Sequence, residues 1–230
     1  MEFFFEDRLS DSPYIEGISY VRFETDFVPL CRADGRWELV VKTQGRKKSL
    51  IVAGPMTKAS AALNLEGSEY IVIKFKFGTY MPYLPARNFL DAEMSLPEAR
   101  SKAVWLSGSV WQLPDYNNVE TFVNRLVHEG ALARDRVVEA ALQDHLLDMP
   151  VRTVRHRFLR ITGLTQGYIR QIERARHATA LLEQGVSILD TVHEAGYSDQ
   201  PHLTRSLKHF IGQSPAELRR LGKLEVRKAE

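Results

Sequence analysis

The side chains best suited to bind a second molecule lie in two stretches near the end of the chain. Arginine carries a planar fork of donors that fits guanine or phosphate, and the amide of glutamine fits adenine. Histidine and threonine add single hydrogen bonds to bases or phosphates. The candidate DNA-binding residues are Arg152, Thr153, Arg155, His156 and Arg160 in the first stretch and Gln200, His202 and Arg205 in the second.

Two short helices joined by a glycine turn should position the second stretch. Ser187 and Asp190 form an S-x-x-D start signal, and apolar residues at helical spacing follow as far as Gly196. A second helix should start at residues 198–199, where serine or aspartate can cap it, with Pro201 in its first turn. This helix-turn-helix directs Gln200, His202 and Arg205 away from an apolar face formed by Leu203, Leu207, Phe210 and Ile211.

The residues of this motif also resemble those of a known family. The run Gly196-Tyr197-Ser198-Asp199-Gln200-Pro201-His202-Leu203-Thr204-Arg205, followed by Gly212-Gln213-Ser214-Pro215, closely resembles the second helix-turn-helix of the AraC family of bacterial transcription regulators. The resemblance implies a sequence-specific regulator that binds double-stranded DNA and acts on RNA polymerase recruitment, in most such proteins as an activator. It also implies a second helix-turn-helix earlier in the chain.

The first stretch lies on another predicted helix, which begins near Arg152 and ends at residues 162–163. Its inward residues should be Val151, Val154, Phe158 and Ile161, and a preceding helix from Asp135 should stop before Pro150. By resemblance, residues 155–163 are the first recognition helix of the AraC pair. The turn before it departs from the family pattern, which has glycine and serine where residues 148–151 stand. Either this motif is compacted, or it presents its helix differently.

A longer helix should connect the two motifs. It is predicted over residues 166–183, capped by Thr165 and closed by Gly185, with an inward face of Ile169, Ile172, Ala175 and Leu182. Its 18 residues would span about 27 Å at about 1.5 Å per residue. That length can separate two DNA-binding helices by roughly one turn of B-DNA, about 34 Å. Ser214 and Glu217 form a capping box for a last short helix, followed by a charged tail over residues 223–230.

Charge divides the chain in the same way. Residues 134–230 hold 16 Lys and Arg against 12 Asp and Glu, a net of +4, and residues 1–133 hold 15 against 17, a net of −2. Residues 151–177 contain one acid, Glu173, and no lysine. Such a run can be a solvated face, but arginine without lysine favours a surface that binds phosphates. The arginines are Arg152, Arg155, Arg157, Arg160, Arg170, Arg174 and Arg176.

The first half of the chain is predicted to be rich in β-strands. Runs of β-branched and aromatic residues at 18–23, 37–41, 50–53 and 70–77 are separated by glycine turns. Helices are predicted over residues 96–106 and 119–132. Residues 33–41, 53–55 and 74–78 are similar to the N-terminal domain of one AraC subgroup, which implies a domain that senses a small molecule or forms a homodimer. Trp37, Phe75, Tyr80 and Tyr83 either line a ligand pocket or form plain core.

The sequence lacks the residues that several other classes of protein require. A metal-dependent enzyme with a β-barrel needs clustered histidines, and His128 is the only histidine before residue 145. No G-x-S-x-G motif marks a nucleophile, and Cys31, the single cysteine, excludes an intramolecular disulfide. We therefore expect no catalytic residue, metal or cofactor. No apolar run approaches a membrane span, so we expect a cytoplasmic protein without a membrane partner.

Together these patterns predict an α+β protein of two domains. Residues 1–133 should form a β-rich domain with packed helices, for ligand sensing or dimerisation, and residues 134–230 an all-α domain with two helix-turn-helix motifs. A fragment of residues 134–230 should then fold and bind DNA by itself. The predicted function is an AraC-type activator that binds adjacent major grooves. Two alternatives are an architectural DNA binder, and a small-molecule binding protein or enzyme whose helical domain no longer binds DNA specifically.

Overall fold

The fold was analysed in a computed structural model, which describes residues 3–62, 64–145 and 148–220. It contains a β-rich part and a helical part, which confirms the predicted α+β class. Contacts divide the chain into two compact units. Unit 1 comprises Met1–Pro29, Gly35–Pro55 and Leu63–Gln166, and unit 2 comprises Leu30–Asp34, Met56–Ala62 and Gly167–Glu230. The predicted boundary after residue 133 concerns independent folding and stays a prediction.

The elements follow in chain order. The strands are β1 (Phe3–Arg8), β2 (Ile15–Phe23), β3 (Leu30–Cys31), β4 (Glu38–Gln44), β5 (Lys47–Ala53), β6 (Ser60–Ala61), β7 (Ser68–Phe75), β8 (Thr79–Tyr80), β9 (Glu93–Ser95), β10 (Glu98–Arg100), β11 (Ala103–Leu106), β12 (Ser109–Gln112) and β13 (Ala133–Arg134). The helices are α1 (Val119–His128), α2 (Arg136–Leu142), α3 (Val151–Thr162), α4 (Gln166–Glu183), α5 (Ile188–Glu194) and α6 (Gln200–Phe210), with a 3-10 turn at Ala86–Asn88. Residues 215–220 are also helical.

The main sheet of unit 1 has six antiparallel strands in the order β1-β2-β7-β4-β5-β9. Its central strand β7 alternates buried Ile71, Ile73 and Phe75 with half-buried residues, as the period of two in the sequence predicts. The four predicted strand runs coincide with β2, β4, β5 and β7. Trp37 and Phe75, which the sequence left open as pocket or core, are both buried in the core of this sheet.

The helix predicted over residues 96–106 is wrong. This segment forms β10 and β11, in which Val104 and Leu106 are buried while Trp105 between them is 48% exposed. Apolar residues at positions 96, 104 and 106 fit both helical and strand spacing, so periodicity could not decide between them. The turn that follows favours strands. Ser107 and Gly108 both have positive φ and form a two-residue hairpin loop, which lets β11 pair with β12.

Helix α1 agrees with its prediction at the start and is shorter at the end. Val119, Phe122, Val123 and Leu126 are buried on one face, but the helix ends at His128 instead of residue 132. Gly130 follows with a φ of 71°, which ends the helical path. The ring of Phe122 packs edge-on against Trp111, at 6.1 Å between centroids.

An ion pair joins α1 to the edge strand β1. Arg8 donates to both carboxylate oxygens of Glu120, at 2.5 and 3.0 Å, and to the carbonyl oxygen of Tyr116 at 2.8 Å. The hydrogen bond from Arg8 lowers the pKa of Glu120 from 4.5 to about 2. Because the folded carboxyl has the lower pKa, this stabilisation is complete above about pH 4.5 and is lost as the pH falls towards 2.

We expect Glu120→Gln to remove this pH-dependent part of the stability. Both side chains are about one-third exposed, at 31% and 32%, so solvent screening limits the effect to about 1 kcal/mol. Urea unfolding at pH 7, 4 and 3 should show a smaller loss of unfolding free energy in Glu120→Gln than in wild type. Glu129→Gln, at an exposed site just after α1, is the control and should follow wild type. Parallel pH profiles for all three proteins would contradict the assignment.

Candidate nucleic-acid interface

The second helix-turn-helix starts as the sequence predicts. Ser187 caps α5 by accepting from the backbone N–H of Asp190 at 3.1 Å, and its hydroxyl donates to the Asp190 carboxylate at 2.5 Å. Gly196 has a φ of 67°, the left-handed conformation that ends α5 at low cost. The S-x-x-D signal and the glycine turn are therefore confirmed.

A carboxylate fixes the beginning of α6. Asp199, one of the two predicted caps, accepts from the backbone N–H of His202 at 2.6 Å, and this bond lowers the pKa of Asp199. Pro201 lies in the first turn, where its missing N–H costs nothing. The inward face is buried as predicted, at Leu203, Leu207, Phe210 and Ile211.

The three candidate side chains of α6 differ in how far they are presented. Gln200 and Arg205 are exposed on the side away from the apolar face. His202 is half-buried, with its ring edge-on to Tyr197 at 5.1 Å and its Nδ1 3.1 Å from the Ser198 hydroxyl. Gln200 and Arg205 are thus available to a partner, whereas His202 also supports the turn.

A contact that the sequence pattern did not predict holds the turn against α4. The guanidinium of Arg174 lies 4.7 Å from the ring centroid of Tyr197 and donates to the carbonyl oxygen of Gly196 at 3.3 Å. The Tyr197 hydroxyl is 2.9 Å from the hydroxyl of Ser206 on α6. Arg174 belongs to the arginine run that favours a phosphate-binding surface. Its only sequence signal was an arginine at helical spacing, which does not distinguish a stacked side chain from an exposed one.

Helix α4 itself agrees with its prediction. It spans Gln166–Glu183, and Gly185 follows with a φ of 90°. The predicted inward residues Ile169, Ile172, Ala175 and Leu182 are all fully buried. The capping box after α6 is also present, since the Glu217 carboxylate accepts from the backbone N–H of Ser214 at 2.7 Å and residues 215–220 are helical. The predicted tail over residues 223–230 lies outside the described residues.

The first helix-turn-helix differs more from its prediction than the second one does. Helix α2 ends at Leu142 instead of continuing towards Pro150, and Asp144 has a φ of 55°, outside the helical region. Residues 146–147, within the predicted helix, lie outside the described residues. Val137 and Leu142 are half-buried, and Val138 and Ala141 are buried. The pattern located the helix but not its end, because no glycine marks it.

Helix α3 begins and ends where the sequence places it, and Gly163 closes it with a φ of 73°. Phe158 and Ile161 are buried and Val154 is half-buried. Val151, predicted to face inward, is 65% exposed, so the inward stripe starts one turn later than predicted. Helical spacing gives the face of a helix but not the residue at which packing begins. The candidates Arg152, Thr153, Arg155, His156 and Arg160 are all exposed.

Arg157, another member of the arginine run, has a structural partner. Its Nε donates to the carboxylate of Asp135, which is 5% exposed and also caps α2 by accepting from the N–H of Val137 at 2.9 Å. One carboxylate therefore ties α2 to α3. Within the described part of the chain, no ion pair involves Arg152, Arg155, Arg160 or Arg205, so these guanidinium groups can meet an external anion.

Unit 1 also contains a cavity of about 580 Å³ beside α3. Its floor is apolar, with Met81, Ala86 and Ile161 each about 2% exposed. Tyr80 lines it, whereas Tyr83, also considered for a pocket, is 70% exposed. The basic side chains of the lining are Arg87, His156 and Arg160, of which the last two are also candidate DNA-binding residues.

The sequence comparison decides the class of this interface. Residues 145–221 match a family model described as "Helix-turn-helix domain", which is of the AraC type. Residues 145–221 therefore form an AraC-type helix-turn-helix domain. The match covers α3 to α6, the helices that carry all eight candidate residues. A domain of this type binds DNA in transcription regulators.

Comparisons with whole proteins add little to the AraC-type assignment. No curated protein matches the chain. The solved structure of ToxT from Vibrio cholerae is similar at a TM-score of 0.43 and 8% identity, covering 96% of this chain and 99% of that one. An apo structure of a ToxT variant is similar at a TM-score of 0.38 and 9% identity, covering 96% and 98%. Because both TM-scores lie below 0.5, we draw no conclusion from these two similarities.

Over the described ranges, no group of three or more His, Cys, Asp or Glu side chains could hold a metal ion. No helix in the described part of the chain is long and apolar enough to cross a membrane. Cys31, the single cysteine, is half-buried in unit 2.

Proposed function

We propose that the protein binds one operator sequence with two recognition helices, α3 and α6, in adjacent major grooves. The observation that carries the proposal is that both helices expose base-binding side chains opposite a buried apolar face. The AraC-type match over residues 145–221 supports the assignment of these faces to DNA. The 18 residues of α4, which separate the two helices in the chain, suit the spacing of about 34 Å between grooves.

The exposed side chains then have distinct roles. Arg205 and Arg155 bind guanine O6 and N7, and Gln200 binds adenine through its amide. Arg152, Thr153, His156, Arg160 and His202 bind phosphates or make single contacts to bases. His202 contributes less to DNA binding than the others, because its ring already packs on Tyr197. Specificity is therefore concentrated in three residues, and the others set the register on the DNA backbone.

Selection of duplexes from a random-sequence pool tests the proposal. We expect one motif with two half-sites about one helical turn apart, bound about 10³-fold or more tightly than scrambled DNA at fixed salt. An architectural DNA binder would retain duplexes without a shared motif and would lose affinity for all of them alike as the salt rises. A small-molecule binding protein with an inactive helical domain would retain no duplex. Either result would reject the proposal.

Replacement of Arg155 by alanine separates base contact from phosphate contact on α3. Because its guanidinium is exposed, we expect unchanged stability, a loss of about 1 to 3 kcal/mol in operator binding and relaxed preference at one base pair. Repeating the selection with Arg155→Ala gives the preference directly. The matched control is Arg100→Ala, an exposed arginine on β10 in unit 1. If affinity for all DNA falls alike and the preferred motif is unchanged, Arg155 is a phosphate anchor instead.

Activation, RNA polymerase contact and cytoplasmic localisation belong to the same proposal, as does a small-molecule effector. The cavity beside α3 is the candidate effector site, since its volume lies in the usual range for small ligands.

Homodimerisation is proposed for unit 1. A reporter gene behind the selected operator would show the sign of regulation, and sedimentation equilibrium would show the oligomeric state. A reporter that is repressed, or a protein that stays monomeric, would remove that part of the proposal.

A further inference from the structure

Unit 2 contains two short segments from the first half of the chain. Residues 30–34 and 56–62 group with residues 167–230, and β3 and β6 within them pair as antiparallel strands. We call residues 30–34 and 56–62 the ribbon. Nothing in the sequence pattern indicated that these segments pack with the C-terminal helices. The ribbon therefore needs an explanation of its own.

The ribbon is hydrogen-bonded to the end of the recognition helix α6. The backbone N–H of Ala33 donates to the carbonyl oxygen of Phe210 at 2.8 Å, and that of Ala59 donates to the carbonyl oxygen of His209 at 2.9 Å. The last four carbonyl groups of a helix have no partner within it. Two of those four groups in α6 are thus satisfied by backbone from the first half of the chain.

Side chains reinforce the same junction. The hydroxyl of Tyr168 on α4 donates to the carbonyl oxygen of Thr57 at 3.0 Å and lies 3.1 Å from Nε2 of His209. Its ring is edge-on to Phe210, at 5.6 Å between centroids. Arg32 in the ribbon forms an ion pair with Glu183 at the end of α4, at 2.9 Å. The ribbon is held to two helices by backbone hydrogen bonds, by the hydroxyl of Tyr168 and by an ion pair.

A glycine just after α6 makes the close approach possible. Gly212 has a φ of 82°, and a Cβ built there would lie 2.6 Å from Cδ2 of Leu30 and 3.1 Å from the Cβ of Ala59. A methyl group at this position would therefore push aside the end of the Leu30 side chain and crowd the Cβ of Ala59, besides straining the backbone. The glycine therefore ends the helix and also leaves room for Leu30 and Ala59.

We propose that the ribbon is a positioning element for DNA recognition, and that it holds α6 in the orientation that binds the operator. A helix whose last carbonyl groups are satisfied by a fixed neighbour frays less and keeps its axis, so its exposed side chains stay aligned with the groove. Operator affinity then depends on residues far from any DNA contact. The proposal rests on α6 being a recognition helix.

The test compares two glycine substitutions in the full-length protein. Gly212→Ala strains a positive φ and pushes on the ribbon, whereas Gly185→Ala strains a φ of 90° with nothing within 4 Å of the new Cβ. We expect Gly212→Ala to accelerate hydrogen exchange of the Ala33 and Ala59 amides at least tenfold and to weaken operator binding at least fivefold. Gly185→Ala should change neither by more than twofold.

A second substitution tests whether the crowding causes the effect. Leu30→Ala removes the Cδ atoms that the new Cβ would meet, so Leu30→Ala in the Gly212→Ala background should restore at least half of the lost protection and affinity. Tyr168→Phe provides an independent variant that keeps the ring and removes the hydroxyl. It should accelerate exchange of the Ala59 amide, while Tyr83→Phe, at an exposed site in unit 1, should not.

The outcomes separate the two proposals. Fast exchange of Ala33 and Ala59 in wild type would show that the ribbon is not docked, and released amides with unchanged operator affinity would show that docking does not position α6. Either result overturns the positioning role while α6 can still bind DNA. If the wild-type protein selects no operator, the proposed function fails. The rate of hydrogen exchange at the Leu207 amide in Gly212→Ala then shows whether the ribbon orders α6. Unchanged exchange there would also overturn the inference.

Discussion

Replacing Arg205 with alanine is expected to lower operator affinity about 5- to 150-fold, which corresponds to about 1 to 3 kcal/mol. Arg205 is exposed on α6, and its guanidinium lies on the same side as Gln200, away from the buried Leu207. An exposed side chain contributes little to folding, so the unfolding free energy should change by no more than about 0.5 kcal/mol. Random-sequence DNA should be bound almost as before.

Titration of wild type and Arg205→Ala against operator and scrambled duplex at one salt concentration measures this effect. Arg46→Ala, at an exposed turn of unit 1, is the matched control for the loss of one positive charge. A parallel loss on both duplexes would assign Arg205 to a phosphate. Equal affinity of wild type and Arg205→Ala for the operator would remove Arg205 from the site.

Replacing Phe158 with alanine is expected to have the largest effect on stability. The ring is 1% exposed and is the largest buried side chain of α3, so its loss leaves a cavity that should cost about 3 to 5 kcal/mol. The next residue, Leu159, is 46% exposed on the same helix. Leu159→Ala should therefore cost less than about 1 kcal/mol, which makes it a control that differs by one position.

Urea unfolding followed by circular dichroism compares these two variants. If Phe158→Ala and Leu159→Ala lower the midpoint equally, the inward face of α3 is wrongly assigned, and so is the exposed face that carries Arg155. A large loss of stability confined to Phe158→Ala supports both the inward face and the exposed face assigned to α3. Operator affinity measured below the unfolding transition would show how far the packing of α3 also matters for DNA binding.

The second helix-turn-helix was predicted almost residue by residue because its signals are local. Ser187 and Asp199 are caps, and Gly196 ends α5 by its own conformational freedom, so each boundary is encoded within a few residues of where it occurs. Helix α2 has no such terminator, and its end was misplaced. Boundaries were thus predictable where a cap or a glycine marks them.

Contacts between distant segments could not be predicted from spacing. The stacking of Arg174 on Tyr197 and the ion pair of Arg157 with Asp135 need partners whose proximity only the fold reveals. The candidate DNA-binding residues could be named because a helix has only one face left once its apolar stripe is known. Which arginines remain available on that face depended on those distant partners.

The ribbon has a further consequence, for the order in which the protein folds during synthesis. Arg32 and Glu183, which form an ion pair in unit 2, are 151 positions apart in the chain. At about 5 to 20 residues per second, the ribosome needs on the order of ten seconds to make the intervening chain. The ribbon therefore cannot pack against α4 and α6 until the ribosome has made the chain as far as those helices. Contacts of such high sequence separation also form slowly, so unit 2 should be the last part of the protein to mature.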